Sequence, residues 1–294
     1  MLTCIASHGK MGAMDTLGLT WHGYPVGANV SLLFPELPYR ERFAAAAAAG
    51  FRSVESWWPF ATAAPSPGEL DALAGLIEDS GLSLTGMNVY AGDMAAGERG
   101  IAADPRRADE LLASLSALRR IAGRTGCRAF NLLHGAVPRG HEAESRRTAV
   151  RSYRHAAAVM EDLEGGPGTI LVEPLARGLN GAYPLETAAD ALALMDEIDT
   201  PQVALLLDTF HLARNDVDMI ALIEADAERI GHVQLADAPD RGEPGSGTVD
   251  FDGIGSALRA RSYSGTVAAE YRPTRETRST LTWLRAPEAE GPLA

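Results

Sequence analysis

Hydrophobic and polar positions along this chain switch repeatedly between two periods. Runs such as V-A-L-L-L at 203–207 are too short for a self-standing helix and suit strands buried on both faces. Between them lie longer stretches with helical spacing. S-P-G-E-L-D-A-L-A-G-L-I-E-D-S-G (66–81), for example, has Ser and Pro at its start and Gly at its end. The pattern predicts strand one around Gly27 to Phe34, an Ala-rich helix ended by Gly50, strand two at 52–57, helix two at 66–81 and strand three at 82–89. A polar, glycine-bearing loop covers 90–101, a length that is usually functional in a compact domain. Beyond it the alternation continues with helices at 104–125, 141–163, 185–198, 217–229 and 252–260, and a last helix from about Thr274. The strands between them lie at 127–133, 169–174, 203–208, 232–237 and 266–271.

Eight strands alternating with eight helices is the count of a closed (β/α)8 TIM barrel. An open doubly wound sheet would want a Gly-rich first turn, and G-x-G-x-x-G is absent. The expected organisation is one barrel domain over 21–286, a disordered lead-in over 1–20 and a loose tail over 287–294.

Composition narrows the function classes. A net charge of -13 argues against a protein that holds nucleic acid electrostatically. No apolar run approaches the ~18 residues of a membrane span, and the N-terminus has no basic region followed by an apolar segment, so the reading is a soluble cytoplasmic protein without a membrane partner. Cys4 and Cys127 have no CxxC partner, which suggests neither a disulfide framework nor a thiolate zinc site. Lys10 is the sole lysine, so a barrel mechanism through a strand-borne Schiff base is excluded. Exposed faces of barrel helices often form dimers, which leaves a homo-oligomer open.

The candidate chemistry sits at the C-terminal ends of the strands, where barrel enzymes carry their sites. I-L-V-E-P ends in Glu173, V-A-L-L-L-D in Asp208, H-V-Q-L-A-D carries Gln234 and V-A-A-E-Y carries Glu270. Period-two alternation puts each on the same face as Leu171, Leu206, His232 and Ala268, so all four can point inward. Unscreened carboxylates this close would repel by ~4 kcal/mol per pair at an effective dielectric near 20. Either a cation or a proton belongs there, and oxygen ligands without thiolate favour Mg2+ or Mn2+. The alternative is a ring of acids paired with arginines at a barrel rim. A divalent ion beside two glutamates suits proton transfer next to a carbonyl, with Glu173 and Glu270 as the acid/base pair. His211 and Arg241 are candidates for substrate oxygen and carboxylate contacts, against a helix-start polar contact and a surface arginine. Glu55, Asn88 and His134, at the ends of strands two, three and four, are further candidates for substrate binding.

These residues carry a resemblance. The chain resembles the hydroxypyruvate isomerase family, within the xylose-isomerase-like barrel superfamily that also holds ketose 3-epimerases and endonuclease IV. The match covers about Gly27 to Pro273, through A-N-V-S-L-L-F, R-F-A-A-A-A-A-A-G-F-R-S-V-E, A-G-D-M-A-A-G-E-R-G-I-A, I-L-V-E-P-L, L-L-L-D-T-F-H, H-V-Q-L-A-D-A-P-D-R-G-E-P-G-S-G and A-A-E-Y-R-P. It implies one divalent metal held by Glu173, Asp208, Gln234 and Glu270, with proton exchange between Glu173 and Glu270. It also implies a 2-oxo or hydroxy acid substrate: hydroxypyruvate and tartronate semialdehyde, or a 2-oxotetronate. Gln234 is informative because the epimerase and endonuclease relatives carry histidine there. Competing readings are a sugar 3-epimerase or dehydratase on the same barrel, a nuclease with more histidine and acid ligands, and a non-catalytic sugar-acid binder.

Overall fold

A computed structural model describes residues 18–286 of the chain; the expected tail, and the lead-in up to residue 17, lie outside the described residues. Eight parallel strands form the wall: β1 (Tyr24–Asn29), β2 (Ser53–Ser56), β3 (Ser83–Asn88), β4 (Ala129–Asn131), β5 (Thr169–Val172), β6 (Val203–Asp208), β7 (Ile230–Leu235) and β8 (Thr266–Ala269). Each pairs with the next, and β1 pairs with β8, so the sheet closes and has no free edge within the barrel. A two-residue strand, Thr20–Trp21, hairpins back onto β1, so ordered structure begins inside the expected lead-in.

Local chemistry sets the helix ends. Helix α1 (Tyr39–Ala49) stops at Gly50, whose φ of 103° is left-handed. Helix α2 (Pro67–Ser80) starts with Pro67 and a capping box between Ser66 and Glu69. Helices α3 (Ala108–Thr125), α4 (Glu142–Val159) and α5 (Ala188–Ile198) follow β3, β4 and β5. After β6 the chain makes a five-residue helix, α6 (Thr209–Ala213), before α7 (Met219–Asp226) and a 3-10 turn at Ala227–Arg229. Helix α8 (Phe251–Ala260) follows β7.

The helix expected from Thr274 is instead a 3-10 turn over Thr277–Trp283. Thr280 donates its hydroxyl to the Thr277 carbonyl, so a three-residue spacing of hydroxyls matches the tighter winding. Strand one also differs from expectation. It ends at Asn29, whose side-chain oxygen accepts from the Ser31 amide and turns the chain out of the sheet.

The main apolar core lies between strands and helices, and a smaller cluster of Ala129, Leu171 and Leu206 fills the barrel's interior. Leu171 and Leu206 stand on the inward face, as the alternation predicts. Beside and above them the interior turns polar: His232 pairs in register with Leu206, and Glu55 and Gln234 are buried with it. Gly86 makes the space for this, because a Cβ at that position would lie 3.3 Å from the Glu55 carboxylate.

Candidate active site

Strand β6 passes straight into α6, and Asp208 sits at the junction as the helix cap. Its Oδ1 accepts from the amides of Phe210 and His211, at 2.8 and 3.1 Å. One oxygen is thereby committed to the backbone and Oδ2 is left to face the cavity. One helical turn later His211 lands on the same side, with Nε2 3.7 Å from Glu173 Oε1 and 3.9 Å from Asp208 Oδ2. These three side chains offer ligand atoms all within 4.8 Å of one another.

The histidine's tautomer follows from its other nitrogen. Nδ1 accepts the Ala176 amide at 3.0 Å, so a neutral ring carries its proton on Nε2. Burial and the nearby Arg241 charge hold His211 well below its ordinary pKa, which keeps it neutral. His211 therefore presents a hydrogen-bond donor, and a donor nitrogen cannot also ligate a metal.

Glu173 and Glu270 flank this point. Asn131 on β4 donates to Glu173 Oε2 at 2.6 Å. Glu270, just after β8, accepts from Asn29 at 3.0 Å, from the Trp57 indole at 3.1 Å and from Arg241 at 2.6 Å. The same Arg241 nitrogen also reaches Asp208 Oδ2 at 3.1 Å. Its guanidinium lies over the Phe210 and Trp57 rings, with 5.3 and 6.0 Å to their centroids. The loop that delivers Arg241 is organised by buried Asp237, whose two oxygens accept four backbone amides. Arg241 itself is held at a φ of +61°, a conformation a non-glycine residue adopts only when its surroundings demand it.

Three buried carboxylates thus face one guanidinium, and the imbalance shifts their pKa values. Burial, then the Asp208 charge, pushes Glu173 up to about 8. Burial likewise raises Asp208 and takes Glu270 well above its ordinary value, although Arg241 opposes both. Negative charge is in excess, so the pocket favours either protons or a further cation.

Gln234 adds a second sign of a cation. Its Nε2 donates to Glu55 Oε1 at 2.7 Å, and because a carboxylate only accepts, this bond fixes which end of the amide is which. The Oε1 left over is buried and has no hydrogen-bond partner. An orphaned buried oxygen on the residue paired in register with Asp208 suits a hard divalent ion.

Glu55 lies below this set. Burial would raise its carboxyl, but the charge and hydrogen bond of His232 (2.6 Å) and the Asn29 amide (2.8 Å) outweigh that and hold it below its usual range. It touches Gln234 and, through Asn29, Glu270, and it does not line the open cleft. That cleft, about 610 Å3, is lined by Glu173, His211, Arg241, Glu270, Asn88, Trp57 and Arg99, among others. The structure therefore gathers Glu173, Asp208, His211, Arg241 and Glu270 at one point, with Asn88 on the wall of the cleft.

His134 falls elsewhere. It lines a separate cavity beside α4 and α5, with Val137, Arg146 and Leu185, and its Nδ1 donates to the Gly135 carbonyl at 3.0 Å. Burial lowers its pKa to about 4, so the fold holds the ring neutral. A depressed pKa means the contribution is intact above about 6.5 and is lost as pH falls through 4, worth about 3 kcal/mol in all. His134→Gln should accordingly flatten the decline of urea stability between pH 6.5 and 4. An unchanged slope would show that another group controls acid unfolding.

Sequence reasoning passed over Asn29, Trp57, Asn131, His232 and Arg99. Asn29 and Asn131 were findable, since each is the polar residue closing an apolar strand, as Glu173 and Asp208 do. Ala176 contributes only backbone: its amide orients His211, its carbonyl accepts from Asn180, and its methyl is buried.

Residues 43–286 match the model of the xylose isomerase-like TIM barrel family, and the chain belongs to it. Within that class it belongs to the hydroxypyruvate isomerase family and is an isomerase. It is 33% identical to the hydroxypyruvate isomerase of Escherichia coli, across 87% of this chain and 96% of that protein. It is 32% identical to the 2-oxo-tetronate isomerase of Pectobacterium atrosepticum, across 87% and 95%. A crystal structure described as an AP endonuclease of family 2 from Brucella melitensis superposes with a TM-score of 0.80 at 32% identity, covering 88% and 96%.

Proposed function

We propose that the protein interconverts an aldehyde and a ketone form of a small 2-oxo acid, hydroxypyruvate and tartronate semialdehyde or a 2-oxotetronate, by proton transfer through an enediolate. The observation that carries this is a pair of buried glutamates with raised pKa, Glu173 and Glu270, lining one open cleft. The donor set fits one divalent ion, Mg2+ or Mn2+, held by Glu173, Asp208, Gln234 Oε1 and Glu270. When bound, such an ion polarises the substrate's carbonyl and hydroxyl oxygens and lowers the cost of the enediolate.

The protein's own groups supply the rest. One glutamate removes the proton from the hydroxyl-bearing carbon and the other returns a proton to the neighbouring carbon, while the hydroxyl proton passes to the former carbonyl oxygen, so that carbonyl and hydroxyl exchange places. A carboxylate whose basicity is raised by burial is a stronger base than one in water, so it suits an abstraction next to a carbonyl. The Nε2–H of His211 and the unpartnered Nε–H of Arg241 are two buried donors available to the oxygens on which charge develops. Asn29 and Asn131 hold the two glutamates in place.

The likeness to the structure described as an endonuclease is outweighed by charge: at -13 the chain is poorly suited to a phosphate backbone. Incubation of the purified protein with hydroxypyruvate, tartronate semialdehyde and 2-oxotetronates, followed by proton NMR in D2O, tests the reading. One acid pair should interconvert with solvent deuterium entering the product. A protein that converts none of them, with Mg2+ or Mn2+ supplied, is not this isomerase.

A further inference from the structure

The cleft that holds the glutamates carries an arginine with no assigned role. Arg99 sits on the loop between β3 and α3 and lines the same cavity as Glu173, His211 and Arg241. Its Nε donates to Asn180 Oδ1 at 3.2 Å, and its Nη1 to the carbonyls of Met94 and Glu98 at 3.0 and 2.7 Å. All three acceptors are uncharged. Among the described residues no carboxylate pairs with it, and Nη2 has no partner. Neighbouring Arg106 and Arg107, by contrast, both pair with carboxylates.

The loop is built to hold Arg99 where it is. Gly100 pairs with His134 across a bridge, has a φ of 108°, and a Cβ there would meet the Leu133 carbonyl oxygen at 2.2 Å. Only glycine lets the loop press so closely onto the end of β4. Asn180, which holds the Arg99 Nε, is itself tied to the Ala176 carbonyl at 3.0 Å, and the Ala176 amide orients His211. One short backbone segment thus sets the relative positions of a substrate-facing histidine and this guanidinium. The Arg99 charge is felt at the His211 ring, where it disfavours protonation.

Arg241 is less suited to a substrate's carboxylate, because its Nη2 already bridges Asp208 and Glu270. Arg272 lies at the rim and is exposed, so solvent screens it. We infer that Arg99 is the residue that recognises the substrate's carboxylate, through Nη2, and so selects acids over uncharged sugars of the same size. The inference rests on the reading above that the substrate is a 2-oxo acid, and it names the group that enforces it.

Two variants and two probes test it. Tartronate carries the carboxylate without being turned over, and its affinity for the Mn2+-loaded protein is measured by calorimetry. Dihydroxyacetone replaces the carboxylate of hydroxypyruvate with a neutral hydroxymethyl group. In Arg99→Gln, tartronate should bind about 10- to 100-fold more weakly, the value of a hydrogen bond to a charged group. The KM for hydroxypyruvate should rise by a similar factor with kcat changed much less, and its preference over dihydroxyacetone should shrink correspondingly. Arg99→Lys keeps the charge but not the bonds to Met94 and Glu98, and should recover most of the lost tartronate affinity. Equal losses in both variants, with a lowered melting temperature, would show that Arg99 only braces the loop and would overturn the inference. Unchanged tartronate binding in Arg99→Gln would do the same. If the wild type converts no 2-oxo acid yet tartronate binding still depends on Arg99, the carboxylate site stands and the proposed reaction falls.

Discussion

Glu270→Gln is expected to stop solvent proton exchange, with turnover falling about 10^3-fold, within the range that a general base contributes. The substitution changes little else. A glutamine oxygen can still accept from Trp57 and Arg241, where Glu270 Oε1 does so at 3.1 and 2.6 Å. The new amide nitrogen would face the Asn29 Nδ2, itself a donor, so one buried hydrogen bond is lost at a cost of about 1–3 kcal/mol. That is small against the ~5–15 kcal/mol of a whole domain, so the variant should fold. Because an oxygen ligand also remains, Mn2+ should still bind, which separates loss of the base from loss of an ion. Deuterium incorporation followed by NMR, with Mn2+ affinity measured beside it, decides the matter. Exchange at the wild-type rate would remove Glu270 from the proton path.

The barrel was legible because its strands are buried on both faces and its helices carry their own start and stop chemistry. Pro67 and Gly81 bound α2 as read, and the alternation through Leu171, Leu206 and His232 put the right residues inside. Elements whose form depends on partners far along the chain were less legible. The short α6 exists because Asp208 caps it, and the last helix tightens where buried Thr277 and Thr280 bond Phe34, Glu36 and Tyr271. The arc of Glu173, Asp208, Gln234 and Glu270 could be placed from strand order alone. What strand order does not encode is where a long side chain ends up. Arg241 reads in the sequence as a clamp for a substrate carboxylate or a surface arginine, yet it reaches in to bridge two of the protein's own carboxylates. His134 reads as a strand-tip residue like the others, yet its ring turns outward between two helices. Glu55 was an expected substrate contact, and the structure puts it beneath Gln234, where it selects the amide oxygen that faces away from it.

Removal of divalent metal with EDTA should reduce turnover to background, and Mn2+ should restore it while raising the melting temperature more at pH 8 than at pH 6. The sign follows from the carboxylates. Burial and the Asp208 charge raise Glu173 from 4.5 to about 8 in the folded chain. A carboxyl with a raised pKa binds its proton more tightly folded than unfolded. Its contribution to stability is therefore fully present below about 4.5 and disappears as pH climbs through 8. Asp208 and Glu270 are shifted the same way, so without an ion the folded state becomes less favourable as the solution becomes more basic. A divalent cation competes with those protons for the same oxygens, and the competition eases as they leave. At a hundredfold excess over its dissociation constant a ligand stabilises by about 2.7 kcal/mol. For a chain of this size that corresponds to a shift on the order of 5 °C. Melting curves at the two pH values, with and without Mn2+, measure it. If neither curve moves with Mn2+, then Arg241 and bound protons alone balance these carboxylates, and the site is not a metal centre.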